Sequence, residues 1–246
     1  MPEFLPFTGI RYDCAAAGSE LDNLAAPPYD VVDEDEQAAL EGAHSHNSVR
    51  LILPRDEADD GDRYECAKAA FDQWQAAGVL VRDGAPRFYG YRMIYRDAHG
   101  RARHTQGVIG ALGLPTPGDD SILPHERTLP KAKSDRLSLL RAMRVNVDPI
   151  WGLTLGTGLT ALLQDAPLLC ACTDPDGVRH ELSAIDDPAK IAAITEIIAG
   201  APLVLADGHH RFETAKNYRA ELKSNTHSNA TPYSFPTRAR HSALSR

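Results

Sequence analysis

The chain has 246 residues, 43% hydrophobic and 24% charged, which is ordinary globular usage and excludes wholesale disorder, collagen and coiled coil. A net charge of -8 argues against a general nucleic-acid binder. No stretch approaches the roughly 18 consecutive apolar residues of a membrane span, and Met1-Pro2-Glu3-Phe4 carries no basic or apolar leader, so a cytoplasmic protein is expected.

Taken in chain order, residues 1–32 read as loop and short strands, with Pro27-Pro28-Tyr29-Asp30 a rigid bend because each proline fixes its own φ and restrains its predecessor. Asp33 followed by Glu36 predicts a capped helix to about Leu40. The apolar run Val49 to Leu53, closed by Pro54, predicts a strand, and Asp56 to Asp62 an acidic loop. Ala67, Phe71 and Trp74 share one face of a helix expected from Arg63 to about Ala77, with Gly78 as its stop. A strand over Val79 to Val81 and a hairpin over residues 87–114 follow, turning at Asp97-Ala98-His99-Gly100. Pro115, Pro117 and Gly118 suggest a boundary, giving an N-terminal α/β region over 1–116.

In the second half, Ser134 or Asp135 can cap a helix to about Met143, Trp151 enters a strand, and Thr157 or Thr160 can open a short helix. Asp174-Pro175-Asp176-Gly177 is hairpin-turn chemistry between Leu168–Thr173 and Gly177–Leu182. Asp187-Pro188 is an N-cap with proline at the first helical position, opening a helix to Ala199 that turns Ile191, Ile194, Ile197 and Ile198 inward. The four cysteines are too few and scattered for a disulfide scaffold. Cys170 and Cys172 share a strand face, and with no further ligands at short spacing they read as half-buried thiols. His44 and His46 read as surface residues of an acidic region.

Chemistry concentrates after the short strand Pro202 to Ala206. Asp207-Gly208-His209-His210-Arg211 leads into a helix on which Phe212, Ala215, Tyr218 and Leu222 recur at helical spacing. Four ionisable side chains in five positions are poor core material. Gly208 permits a positive φ and close backbone approach to a ligand. The first helical amides lack intrahelical partners and carry the positive dipole end, a place suited to phosphate. His209, His210 and Arg211 add donors, and Asp207 can hold a histidine tautomer, a ribose hydroxyl or a magnesium ion. A second candidate lies at Leu123-Pro124-His125-Glu126-Arg127-Thr128. Beyond it Lys131, Lys133, Arg136, Arg141 and Arg144 outnumber Asp135 and suit a triphosphate, or else form a solvated helix face.

Pro6-Phe7, Arg11-Tyr12-Asp13, Ala26-Pro27-Pro28-Tyr29-Asp30-Val31, Asn47-Ser48-Val49-Arg50-Leu51, Leu123 to Thr128 and Asp207 to Ala215, in this order, resemble the bacterial DUF1015 family over residues 1 to about 223. The last block is also similar to the phosphate motif of the ParB/sulfiredoxin-like superfamily, which holds ParB CTPases, sulfiredoxins and free-serine kinases. The resemblance implies an α+β fold of mixed sheets with packed helices, the region 117–223 being an incomplete ParB/sulfiredoxin-like nucleotide-binding region. It implies that Gly208 to Arg211, with Arg127, grip the phosphates of ATP, ADP or CTP, and that Asp207 ligates Mg²⁺. His209 stands where sulfiredoxin has its cysteine, which argues against reductase chemistry, and ParB's DNA-binding helices are not evident. The free-serine kinases look nearest. They use a glutamate base ahead of a helix, which implies Glu126 as base and His210 as its catalytic companion, acting on a small hydroxyl substrate. A non-catalytic nucleotide-sensing module and a metal-dependent hydrolase built on Asp207, His209 and His210 are the alternatives. Residues 224–246, rich in serine and threonine with Leu244 the one aliphatic residue larger than alanine, read as a disordered or foreign tail. The family resemblance implies further strands and helices there, so a truncated or frame-shifted end is expected, or else a genuine short tail.

Overall fold

A computed structural model of the chain describes residues 1–56, 62–126 and 130–228, and it is of the α+β class. The first strands are short, β1 (Phe4–Leu5) and β2 (Ile10–Tyr12). Asp13 caps a single helical turn, α1 (Cys14–Ala17), by accepting from the Ala16 amide at 3.0 Å. The capping expected at Asp33 is present: its carboxylate accepts from the Glu36 amide at 2.8 Å and opens α2 (Glu34–Ala43).

The strand expected over Val49–Leu53 is instead a helical turn, α3 (Val49–Ile52). The cause is Asn47, fully buried, whose side-chain oxygen accepts from the Val49 amide at 2.9 Å while its amide donates to the carbonyls of Asn23 and Ala25. With the Ser48 amide held by Leu24 O at 2.8 Å, the chain is pinned into a turn, and Val49, Leu51 and Ile52 enter the core from it. The acidic loop expected next lies largely outside the described residues.

Helix α4 (Arg63–Ala76) buries Ala67, Phe71 and Trp74 as its spacing requires, and Gly78, at φ 75°, turns the chain into β3 (Leu80–Arg82). The hairpin is β4 (Phe88–Arg96) with β5 (Ala102–Ile109), after which Gly110 lets β6 (Ala111–Leu112) leave to pair with β1. A Cβ at Gly110 would lie 2.5 Å from the Phe4 ring, so this crossing needs glycine. There follow β7 (Ile122–Leu123), α5 (Pro130–Met143), β8 (Trp151–Thr154) and α6 (Leu159–Leu162). Asp135 is not the cap of α5 but sits within it, its carboxylate taking Arg136, Arg63 and Tyr64. Gly158, at φ 89°, precedes α6 in place of a threonine cap. The second hairpin, β9 (Leu168–Thr173) and β10 (Arg179–Ile185), and α7 (Pro188–Ala199), capped by Asp187, match their patterns. Then come β11 (Leu203–Asp207) and α8 (His209–Ser228), whose last turn lies in the segment expected as tail.

Two cores hold the fold. One gathers Leu24, Leu51, Phe71, Trp74 and Val79 with Leu139 and Met143 of α5. The other joins Phe4 and Phe88 to Ile122, Ile185, Ile194, Ile198, Leu205 and Phe212. Each such side chain contributes about 1.5–3 kcal/mol by burial. Both cores draw residues from either side of residue 116, and the four-stranded sheet β5-β4-β10-β9 joins the two hairpins across it. Among the described residues no helix is long and apolar enough to cross a membrane. Cys170 and Cys172 are half-buried free thiols on β9, and burial pushes both thiols up in pKa, away from the reactive thiolate.

Candidate functional site

The site is built by a three-stranded sheet in the order β7-β11-β8. β11 runs parallel to β7, with Leu203 opposite Ile122 and Val204 opposite Leu123, so both strands end at the same edge. The residues that follow them, Pro124-His125-Glu126 and Gly208-His209, therefore emerge together, though some 80 positions apart in sequence. β8 is antiparallel to β11 and begins with Trp151 opposite Asp207, which brings Asp148-Pro149-Ile150 to the same edge. The carboxyl ends of parallel strands are where open α/β sheets place ligands.

Gly208 makes the joint between strand and helix. Its φ is 85°, and a Cβ there would lie 2.8 Å from Ile150 Cγ2. The turn thus presses against the segment before β8 more closely than any side chain allows. The Phe212 amide donates to Gly208 O at 2.9 Å, closing the first turn of α8. The amides of His209, His210 and Arg211 precede the helical ladder and point out of its N-terminus.

His209 is buried at 4% exposure, and its Nε2 accepts from the His125 amide at 3.3 Å. An imidazole nitrogen that accepts carries no proton, so in the neutral ring the proton resides on Nδ1. Nδ1 faces Glu126 Oε2 at 3.4 Å. The His125 ring stands edge-on to that of His209, 4.5 Å between centroids, and its Nε2 lies 3.9 Å from Glu126 Oε1. The carboxylate of Glu126 is thus flanked by two imidazoles while remaining largely open to solvent. The two segments singled out separately in the sequence form one constellation, and the histidine that meets Glu126 is His209. His210, expected as the catalytic companion, occupies the next position of α8 and is half-buried.

Arg211 is held from two sides. Nη2 donates to Asp207 Oδ2 at 2.6 Å and Nη1 to Pro149 O, leaving the side chain 13% exposed against 64% for Asp207. It serves as a clamp between the helix, the strand end and the segment before β8. Behind it lies a group of residues that sequence reasoning missed. Burial pushes the Asp148 carboxyl up in pKa; Arg211 and Arg136 pull it down, and Asp30 and Asp207 add to the rise. Asp148 Oδ2 is buried without a hydrogen-bond partner. Arg136 is itself buried, stacks 4.0 Å from the Tyr29 ring centroid, and binds Asp135 and Ile52 O. Tyr29 and Asp30 come from the double-proline bend, whose rigidity was legible but whose destination was not.

The basic segment after Glu126 is put to internal use. Arg136 is committed as above, and Arg141 makes a forked pair with Glu221 of α8, its Nε 2.9 Å from Oε2, so neither is a spare cation for a triphosphate. Arg127, named as a phosphate contact, lies outside the described residues.

None of the curated proteins and none of the solved structures matches the chain. A family described as "Protein of unknown function (DUF1015)" matches residues 4–237, which carries the likeness past residue 223, where the sequence motifs ended it. A match that takes in nearly the whole chain, with both site segments inside it, makes the protein a member of the DUF1015 family.

Proposed function

We propose that the edge formed by β7, β11 and the start of α8 binds the phosphates of a nucleotide and transfers a phosphoryl group to a small hydroxyl substrate such as free serine. The observation that carries this reading is the meeting of Glu126 with the first turn of α8 through His209. A phosphate on the outward amides of His209 to Arg211 gains the helix dipole and hydrogen bonds that need no reorganisation. Glu126, solvent-open and beside that turn, can accept the proton of an incoming hydroxyl. His209, proton on Nδ1, orients the carboxylate, and the His125 backbone amide fixes the ring. Phosphoryl transfer asks for positioning and charge stabilisation more than for covalent participation, and this set offers both.

Magnesium fits this arrangement, since it is bound through one or two carboxylates together with phosphate oxygens. Asp207 would hold it: the carboxylate is exposed at the mouth of the site, with only Oδ2 engaged by Arg211. When bound, the ion neutralises charge on the phosphate oxygens. A hydrolase with a transition metal fits less well, because among the described residues no three His, Cys, Asp or Glu side chains converge to hold one.

Titration calorimetry with ATP, ADP and CTP in the presence of Mg²⁺ tests the reading. The wild-type chain is expected to bind at least one of them, and Arg211→Ala, shown folded by circular dichroism, to bind it at least about tenfold more weakly through loss of the clamp and of a charge-assisted donor. Absence of binding by the folded wild type removes the proposal.

A further inference from the structure

A cavity of about 440 Å³ opens over the sheet β5-β4-β10-β9, and none of its lining residues belongs to the nucleotide edge. Its size falls within the roughly 300–1,000 Å³ of small-molecule sites. The sheet register builds its floor. Glu181 lies opposite Arg92, and Arg92 opposite Gln106, so three strands set a carboxylate, a guanidinium and an amide in one row on one face. The next row sets Ser183 opposite Gly90, where a Cβ would come within 2.5 Å of Ser183 Oγ, so glycine leaves the hydroxyl its room.

The wall opposite the floor is α6 and the turn after it. Gln106 Nε2 donates to Thr160 O at 3.2 Å and Lys190 Nζ to Gln164 O at 2.9 Å, which fixes this overhang to the sheet and to α7. Asp165, in that turn and lining the cavity, holds φ at 58°, a left-handed conformation of the kind that gathers at ligand clamps.

The charges select the ligand. Arg92 is exposed and makes no ion pair or hydrogen bond among the described residues. Glu181 engages Arg179 through Oε1 at 2.9 Å, and Asp165 adds a second negative group to the lining. A phosphate dianion would meet both carboxylates, and a neutral sugar would leave the guanidinium unpaired. A molecule with one carboxylate and one ammonium satisfies both signs. We propose that this cavity binds a zwitterionic amino acid or short peptide, its carboxylate on Arg92 and its ammonium toward Glu181 and Asp165.

Saturation-transfer NMR on the full chain, with each proteinogenic amino acid that lacks a side-chain hydroxyl and with Ala-Ala, identifies the binders. Calorimetry of the strongest is then run on wild type, Arg92→Gln and Arg211→Ala. At least one zwitterion is expected to bind, Arg92→Gln to weaken it about tenfold or more, and Arg211→Ala to leave it unchanged. Because Arg92 is exposed, its replacement leaves the fold intact, which circular dichroism checks. The proposal fails if no zwitterion binds the wild type, if Arg92→Gln binds as well as wild type, if acetate or phosphate binds as tightly as the zwitterion, or if Arg211→Ala alone abolishes binding. Each of these outcomes stands apart from the nucleotide titration, so either site can fail without the other.

Discussion

Asp148 is the residue whose energetics are least like its neighbours'. Burial raises its carboxyl, and the two guanidinium groups nearby only partly offset the cost. Between the ordinary unfolded value of about 3.9 and the raised folded value, the native state keeps a proton that the unfolded chain has lost. Stability therefore falls as pH rises through that window, and the penalty persists above it. Asp148→Asn is expected to be more stable than wild type at pH 7, with the advantage shrinking as pH is lowered toward about 4, by urea midpoints across the range. An advantage independent of pH would contradict the assigned cause. Single residues were also where the sequence was most and least readable. Asp207, Gly208 and His209 stand in one short block whose residue types announce a tight glycine turn between strand and helix. Asp148, Tyr29 and Arg136 come from three distant segments, and nothing in their local patterns says that a fold will bring them together.

The decisive element is the joint between β11 and α8. Its strand-glycine-helix order was legible from an apolar run, a glycine and a helical repeat. The parallel partner β7 was not, because two residues give no periodicity and parallel pairing is a long-range choice. For a similar reason Val49–Ile52 misled: a short apolar run is common to buried strands and buried helical turns, and Asn47's hydrogen bonds decide the matter. The joint also makes Gly208 irreplaceable on two counts, its positive φ and its contact with Ile150. Gly208→Ala is expected to cost about 2–3 kcal/mol of unfolding free energy, measured by urea denaturation. A cost near zero would mean that the turn is free to relax away from Ile150.

At the scale of the whole molecule, the punctuation at residues 115–118 reads as a boundary, yet sheet and cores run through it. Proline and glycine mark a change of direction, and only the pairing of β4 with β10 shows that the chain returns to the same sheet. Within that fold the parallel pairing of β7 with β11 holds the segment before α5 against the start of α8 and brings the two motifs together. The proposed nucleotide site rests on the contact of His209 with Glu126 and the His125 amide. It is tested most directly by ¹⁵N NMR of the histidine rings, with the His209 signals assigned by comparison with His209→Gln. The structure predicts that neutral His209 carries its proton on Nδ1, since Nε2 accepts from the His125 amide. Saturating ATP with Mg²⁺ is then expected to shift both ring nitrogens. A proton found on Nε2, or ring signals unmoved while ATP is bound, would contradict the account.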